Sequence, residues 1–178
     1  VAHYHWIDLT LHPDSPRQGV ERVCFGYDLS PDNWRLAYEV FGQVDQLELP
    51  AEHGPRPGHE LWKSTCFELF IARSSHGYRE LNMAPSGAWG GFDFDGYRSA
   101  ARPLQASPLA SLESSRSANA YRADIVLSDD AVPDMAAHLG PAVVLKDMQG
   151  QLSYWALLHA PGKPDFHHPD LMRIPVRR

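Results

Sequence analysis

Two glutamates and an asparagine carry the most chemistry in this sequence. Strand alternation across Thr65 to Ile71 sets Cys66, Glu68 and Phe70 on one face and Thr65, Phe67, Leu69 and Ile71 on the other. A carboxylate among such neighbours is costly to bury unless it is paired or hydrogen-bonded. Further along, Tyr78, Glu80 and Asn82 share a face, with Leu81 and Met83 opposite. If these strands are neighbours in register, Glu68, Glu80 and Asn82 converge into a polar patch within an apolar concavity, the composition of a small-ligand pocket. Asn82 is then expected to donate to Glu68, and the two carboxyls to share a proton, which raises one pKa. Such a patch can bind a polyol. It can also act as a glycosidase pair, which requires carboxyls about 5–5.5 Å or about 6.5–9.5 Å apart. The structural alternative is a solvated sheet face with cross-strand hydrogen bonds.

Sugars present apolar C–H faces ringed by hydroxyls, so a sugar site needs aromatic platforms beside its carboxylates and amides. Trp62, Trp89 and Trp155 are the candidate platforms; the alternative for each is a core anchor. The ten histidines raise metal and haem binding. His3 and His5 share a strand face, and His167 and His168 lie beside Asp165 and Asp170, yet neither pair has the spacing of a closed zinc site. Haem requires an axial Met or His, for which Met83 and His159 are available. The run Asp93 to Gly96, "DFDG", resembles the start of a calcium loop without the remaining ligands. No nucleophile stands out: Ser86 in "APSGAW" sits in a turn and not a Gly-x-Ser-x-Gly elbow, and Cys66 is mid-strand.

Short strands are the elements able to position these groups. Fifteen prolines and 13 glycines punctuate the 178 residues throughout, leaving little room for long helices. Val23, Phe25, Tyr27 and Leu29 alternate, as do Trp34, Leu36, Tyr38 and Val40, with the turn residues Ser30 to Asn33 between them, a β-hairpin signature. Further strands are expected at about 3–11, 44–49, 65–72, 78–84, 89–95, 119–128, 142–148 and 152–158. Residues 51–60 read as a Pro/Gly-rich surface loop at the rim of a site, and 107–120 as a strand, a short helix or a loop. Only Asp129 to Leu139 has helix-start signals. Helix is therefore expected in less than about a fifth of residues, against an ordinary third.

Hydrophobic residues make up 43% and charged residues 21%, a globular composition for one domain over residues 1–178. The net charge of −6, with no basic cluster interleaved with aromatics, argues against a nucleic-acid partner. No apolar run reaches 18 residues, so no membrane-spanning helix is expected. Cys24 and Cys66 lie in apolar runs and are expected to be buried free thiols, which favours the cytoplasm. The first residues do not compose a signal peptide; the lack of an initiating Met leaves a removed leader as the open alternative.

Three segments, "LWKSTCFELFIA" (61–72), "YRELNMAPSGAWGGFDFDGYR" (78–98) and "LSYWALLHAPGKPDFHHPD" (152–170), together with the aromatic-led "AYRADIVLS", frame over half the chain. They resemble the bacterial DOMON-like proteins grouped with the family 9 carbohydrate-binding modules. One departure is Thr65, which stands where that pattern has an acidic residue three before its Glu. The resemblance implies an antiparallel all-β sandwich of two sheets, jelly-roll in type, with at most one or two short helices. It also implies binding without chemistry, of a saccharide between aromatic rings or of haem through Met and His, and it places Trp155 as a sandwiching ring. The expected function is thus a non-catalytic domain that binds a small carbohydrate-like ligand through Trp62, Glu68, Glu80, Asn82, Trp89 and Trp155. The rivals are a lyase, cyclase or hydrolase using Glu68 and Glu80 in an enclosed pocket, and a haem or calcium protein.

Overall fold

Apolar alternation becomes pairing wherever two such runs meet. A computed structural model describes residues 2–30 and 33–177. Its strands are β1 (His5–Leu11), β2 (Val20–Ser30), β3 (Asn33–Gly42), β4 (Arg56–Pro57), β5 (Cys66–Arg73), β6 (Tyr78–Met83) and β7 (Ala88–Phe94). They continue with β8 (Arg102–Pro103), β9 (Leu109–Arg116), β10 (Ala120–Leu127), β11 (Ala136–Lys146), β12 (Leu152–Ala156) and β13 (Ile174–Pro175). The β2–β3 hairpin pairs Val23 with Val40 and Phe25 with Tyr38, so both apolar sets point inward together. At its end the Ser30 hydroxyl donates to the Asn33 carbonyl (2.9 Å); Pro31 and Asp32 of the expected turn lie outside the described residues.

The main ladder runs β4-β7-β6-β5-β11-β12-β1-β2-β3-β10-β9, with β13 and β8 as side branches on β11 and β7. Among the described residues the thirteen strands join in one continuous, curled sheet. The reason lies in β1, whose residues His5 to Leu9 pair with β2 while Thr10 and Leu11 pair with β12. The sheet curls so that its halves face one another across a shared core. Tyr38 of β3 stacks on Phe67 of β5 at 5.0 Å, and its hydroxyl donates to the Glu68 carbonyl at 2.7 Å, fastening the halves together.

Strands β5 and β11 are covered on both faces, which is why they read as nearly unbroken apolar runs. Phe67, Leu69 and Ile71 enter the main core, while Cys66 and Phe70 belong to a second cluster on the other face. That second cluster is roofed by Phe166, Leu171 and Met172 of the C-terminal segment. Glu68 therefore lies under a roof instead of on a solvated face.

Helix is confined to four three-residue 3-10 turns, at Val44–Gln46, Leu61–Lys63, Asp129–Ala131 and Pro169–Leu171, among the described residues. Two expectations are corrected here. Residues 44–49 form one of those turns plus a single bridge from Leu47 to Asp147, not a strand. The helix start at Asp129 lasts one turn: Pro133 interrupts it, and the apolar residues from Ala136 pair with β5 instead. The ambiguous 107–120 stretch becomes β9, paired to β10 at the end of the ladder.

Both cysteines are unpaired and inaccessible. Burial comes first in raising their thiols, Cys24 to about 12 and Cys66 well above its ordinary value. A thiol reagent is accordingly expected to modify neither at a measurable rate until the protein is unfolded by denaturant. Rapid labelling of the native protein would contradict this packing.

Candidate functional site

Register brings the candidate residues together. In the β5–β6 pair Glu68 lies opposite Asn82 and Phe70 opposite Glu80; in β6–β7 Glu80 lies opposite Phe92. All point to the roofed face. Between sheet and roof is a cavity of about 430 Å³ lined by Trp62, Glu68, Glu80, Phe92, Tyr154 and Phe166, together with Phe94, Arg98, Ala101, Val144, Pro164 and His167. Its volume falls in the range of small-molecule sites, roughly 300–1,000 Å³.

The polar floor is nearly dry: Glu68 is 2% exposed, Glu80 5% and Asn82 1%. Asn82 Nδ2 donates to Glu80 Oε1 at 2.9 Å, so the amide serves Glu80 and not Glu68 as the sequence led one to expect. Asn82 and Glu80 stand two apart on one strand and share a face, which makes this the local pairing. Glu80 Oε2 faces His167 Nε2 at 3.6 Å, and His167 Nδ1 is 2.7 Å from the Tyr78 hydroxyl. That hydroxyl also accepts from the Arg98 backbone N–H (3.1 Å); when it donates its own proton to His167 Nδ1, the neutral ring carries Nε2–H toward Glu80. Glu68 Oε1 and Asn82 Oδ1 are buried without any hydrogen-bond partner.

Burial pushes Glu68 well above the usual carboxylate range, and the negative charge of Glu80 adds to it, against lesser help from the Cys66 thiol and Arg98. Glu80 is also raised by burial, opposed by the Asn82 hydrogen bond and the Arg98 charge. Burial and then the Arg98 charge lower His167 to about 4, so it is neutral near pH 7. Arg98 itself is held by Asp165, whose carboxylate takes Arg98 Nη2 at 2.8 Å and the Tyr97 hydroxyl at 2.6 Å. The backbone turns through the left-handed region at Arg98 (φ 50°) and Ala100 (φ 54°), conformations sparsely populated by such residues.

Of the three candidate tryptophans, Trp62 alone reaches the cavity. It sits on the 3-10 turn before β5, 39% exposed, edge-on to Phe92 at 6.4 Å. Trp89 and Trp155 are corrected from platforms to core anchors: at 8% and 3% exposure they pack in the main core, on the opposite face of the sheet. Alternation decides it, since Trp89 shares parity with Gly91 and not with Phe92, and Trp155 Nε1 is satisfied by Ser153 Oγ at 3.1 Å.

Met83 lies in the main core, whereas His159 packs edge-on against His12 at 4.9 Å. His168 caps the Pro169–Leu171 turn, accepting from the Asp170 N–H. Asp93 is engaged by Arg73 and Arg79, and Asp95 by Arg102. Thr65 accepts the Lys146 N–H at 3.1 Å, a structural bond. No three His, Cys, Asp or Glu side chains gather as a metal-holding group among the described residues.

Sequence reasoning missed Arg98, Tyr154, Phe166 and the part His167 plays. The alternating "FDFDG" could have nominated Phe92 and Phe94. Nothing periodic marks Arg98, Phe166 or His167, which arrive on loops.

No protein-family model and no curated protein matches this sequence. Among solved structures the chain is similar to a "putative carbohydrate-binding protein" from Bacteroides uniformis ATCC 8492, with a TM-score of 0.65 and 12% identity over 95% of this chain and 84% of that one. A family 9 carbohydrate-binding module from Caldicellulosiruptor kristjanssonii, solved with cellotriose, aligns over 89% of this chain and 75% of that one, with a TM-score of 0.49 and 9% identity. The first of these establishes a shared all-β fold.

Proposed function

We propose that this chain is a non-catalytic binding domain, a jelly-roll sandwich of the DOMON-like type, that takes a saccharide-like polyol into the Glu68/Glu80 cavity. The observation that carries the reading is the unpartnered Glu68 Oε1 on the floor of an aromatic-walled cavity. A buried acceptor without a partner costs about 1–3 kcal/mol, and a ligand hydroxyl removes that cost. A carboxyl accepts from ligand hydroxyls when ionised and also donates when protonated, so the pair meets a polyol in either state. Trp62, Phe92 and Tyr154 supply the apolar surface for the C–H faces. Asn82 orients Glu80. The carbohydrate-binding description of the Bacteroides uniformis protein is consistent with this role, although a fold does not fix a function.

Calorimetric titration against a panel of mono-, di- and trisaccharides tests the reading. The parent protein is expected to bind at least one of them. Glu68→Gln and Trp62→Ala are each expected to remain folded and to bind about tenfold or more weakly, the loss of one charge-assisted hydrogen bond or one ring contact. A parent protein that binds none of the panel would remove the proposal.

One observation favours an enzyme as the second reading: two carboxyls of raised pKa beside a His–Tyr pair is the tuning used for acid–base work. Chromatography of the same panel after prolonged incubation separates the two, since the binding reading requires every saccharide to be recovered unchanged.

A further inference from the structure

We infer that the Glu68/Glu80 cavity selects a ligand bearing a protonated amine, taking an amino sugar in preference to its neutral counterpart. This rests on the polyol-binding reading above and specifies its ligand.

The first support is an imbalance of charge. Two carboxyls, Glu68 and Glu80, form the floor; the cationic or basic groups facing them are Arg98 and His167. Arg98 is matched by Asp165 at 2.8 Å, outside the pair. His167 is set edge-on against Phe70 at 5.0 Å and Phe94 at 5.2 Å, and its Nδ1 is taken by the Tyr78 hydroxyl, surroundings that disfavour an imidazolium. The remaining titratable groups nearby, Tyr78, Tyr154 and the Cys66 thiol, supply no positive charge. The two glutamates thus face one cation between them, and that cation is already bonded to Asp165.

The second support is an imbalance of hydrogen bonding. Glu68 Oε1, on the cavity floor, lacks a partner, and an ionised carboxylate only accepts. The cavity is short of donors. A hydroxyl brings one donor and two acceptor lone pairs, whereas an ammonium brings three donors and no acceptor. Trp62, Phe92 and Tyr154 line the same cavity, and an aromatic ring attracts a cation that reaches its π face.

Burial keeps a proton on the Glu68/Glu80 pair until a ligand arrives. An ammonium replaces that proton. Binding is thereby linked to release of a proton from the pair, and affinity falls as the pH is lowered and the glutamates are held neutral.

The test is calorimetric titration at pH 7 with glucosamine, glucose and N-acetylglucosamine, repeated in buffers of different ionisation enthalpy. Glucosamine is expected to bind about tenfold or more tightly than the other two, with net proton release, and Glu68→Gln to abolish the preference. Glu80→Gln, checked for folding by its melt, serves if the first variant fails to fold. Equal affinity for glucose and glucosamine would overturn the inference and leave the polyol reading standing. Failure of all three to bind would overturn the inference, and failure of the whole saccharide panel would overturn the polyol reading with it.

Discussion

Trp155→Ala is expected to lower stability by about 3–5 kcal/mol while leaving the saccharide affinity of the folded protein unchanged. The ring is 3% exposed, lies in the main core and is paired across strands with Val143 and Leu11. Its removal leaves a cavity where β12 meets β1, the junction that carries the ladder from one half of the sheet to the other. For a domain of this size the loss corresponds to a fall in Tm of roughly 6–20 °C. Trp62→Ala should behave in the opposite way, because its ring is on the surface and contributes little to the core. Denaturant unfolding alongside calorimetric titration reads both quantities. A Trp155→Ala protein that melts like the parent yet no longer binds would return Trp155 to the site.

Glu68→Gln is expected to stabilise the protein by about 1–3 kcal/mol at pH 8, and the gain should vanish as the pH falls to about 4.5. Burial and the neighbouring Glu80 raise the folded-state pKa of Glu68 above its unfolded value. The folded state then holds the proton more tightly, so this group's contribution is fully present below the unfolded pKa and is lost as pH rises through the folded one. Glutamine stays neutral at every pH, as the protonated acid is. Other groups bend the parent curve in the opposite sense. His167 is depressed from 6.5 to about 4, so what it contributes is present above 6.5 and lost as pH falls toward 4. Asp93 and Asp165 are held below 3.8, so they act only at more acid pH. Both proteins share these groups, and the difference between their denaturant midpoints isolates Glu68. A constant difference from pH 4.5 to 8 would mean that Glu68 holds its proton no more tightly in the folded state than in the unfolded one. Gained stability with lost binding is the trade-off expected of a site that keeps an unpaired group for its ligand.

Much of the site's floor was legible from alternation. The parity of Thr65 to Ile71 separates Glu68 from Phe67 and Leu69, that of Tyr78 to Met83 puts Glu80 with Asn82, and the structure places these side chains on the faces so assigned. Strand character, the scarcity of helix and the free cysteines follow equally from local pattern, because side-chain direction along a strand repeats every two residues whatever the partner strand. Partners are another matter. Asn82 bonds Glu80 instead of Glu68, although both were in view, because a face assignment carries no distances. The helix signals at Asp129 were honest local chemistry, overridden when Ala136 onward found pairing with β5. Whether Glu68 faced water or a roof depended on residues about a hundred positions away: Tyr154 on β12, and Phe166 and His167 on an irregular segment that has no period to read. The same holds for Trp155, whose type suits a platform or an anchor and whose role is set by which face of β12 the closing of the sheet turns inward. Local sequence determined which way each side chain points from its own strand; only the long-range closure of the sheet and its C-terminal cover decided what it points at.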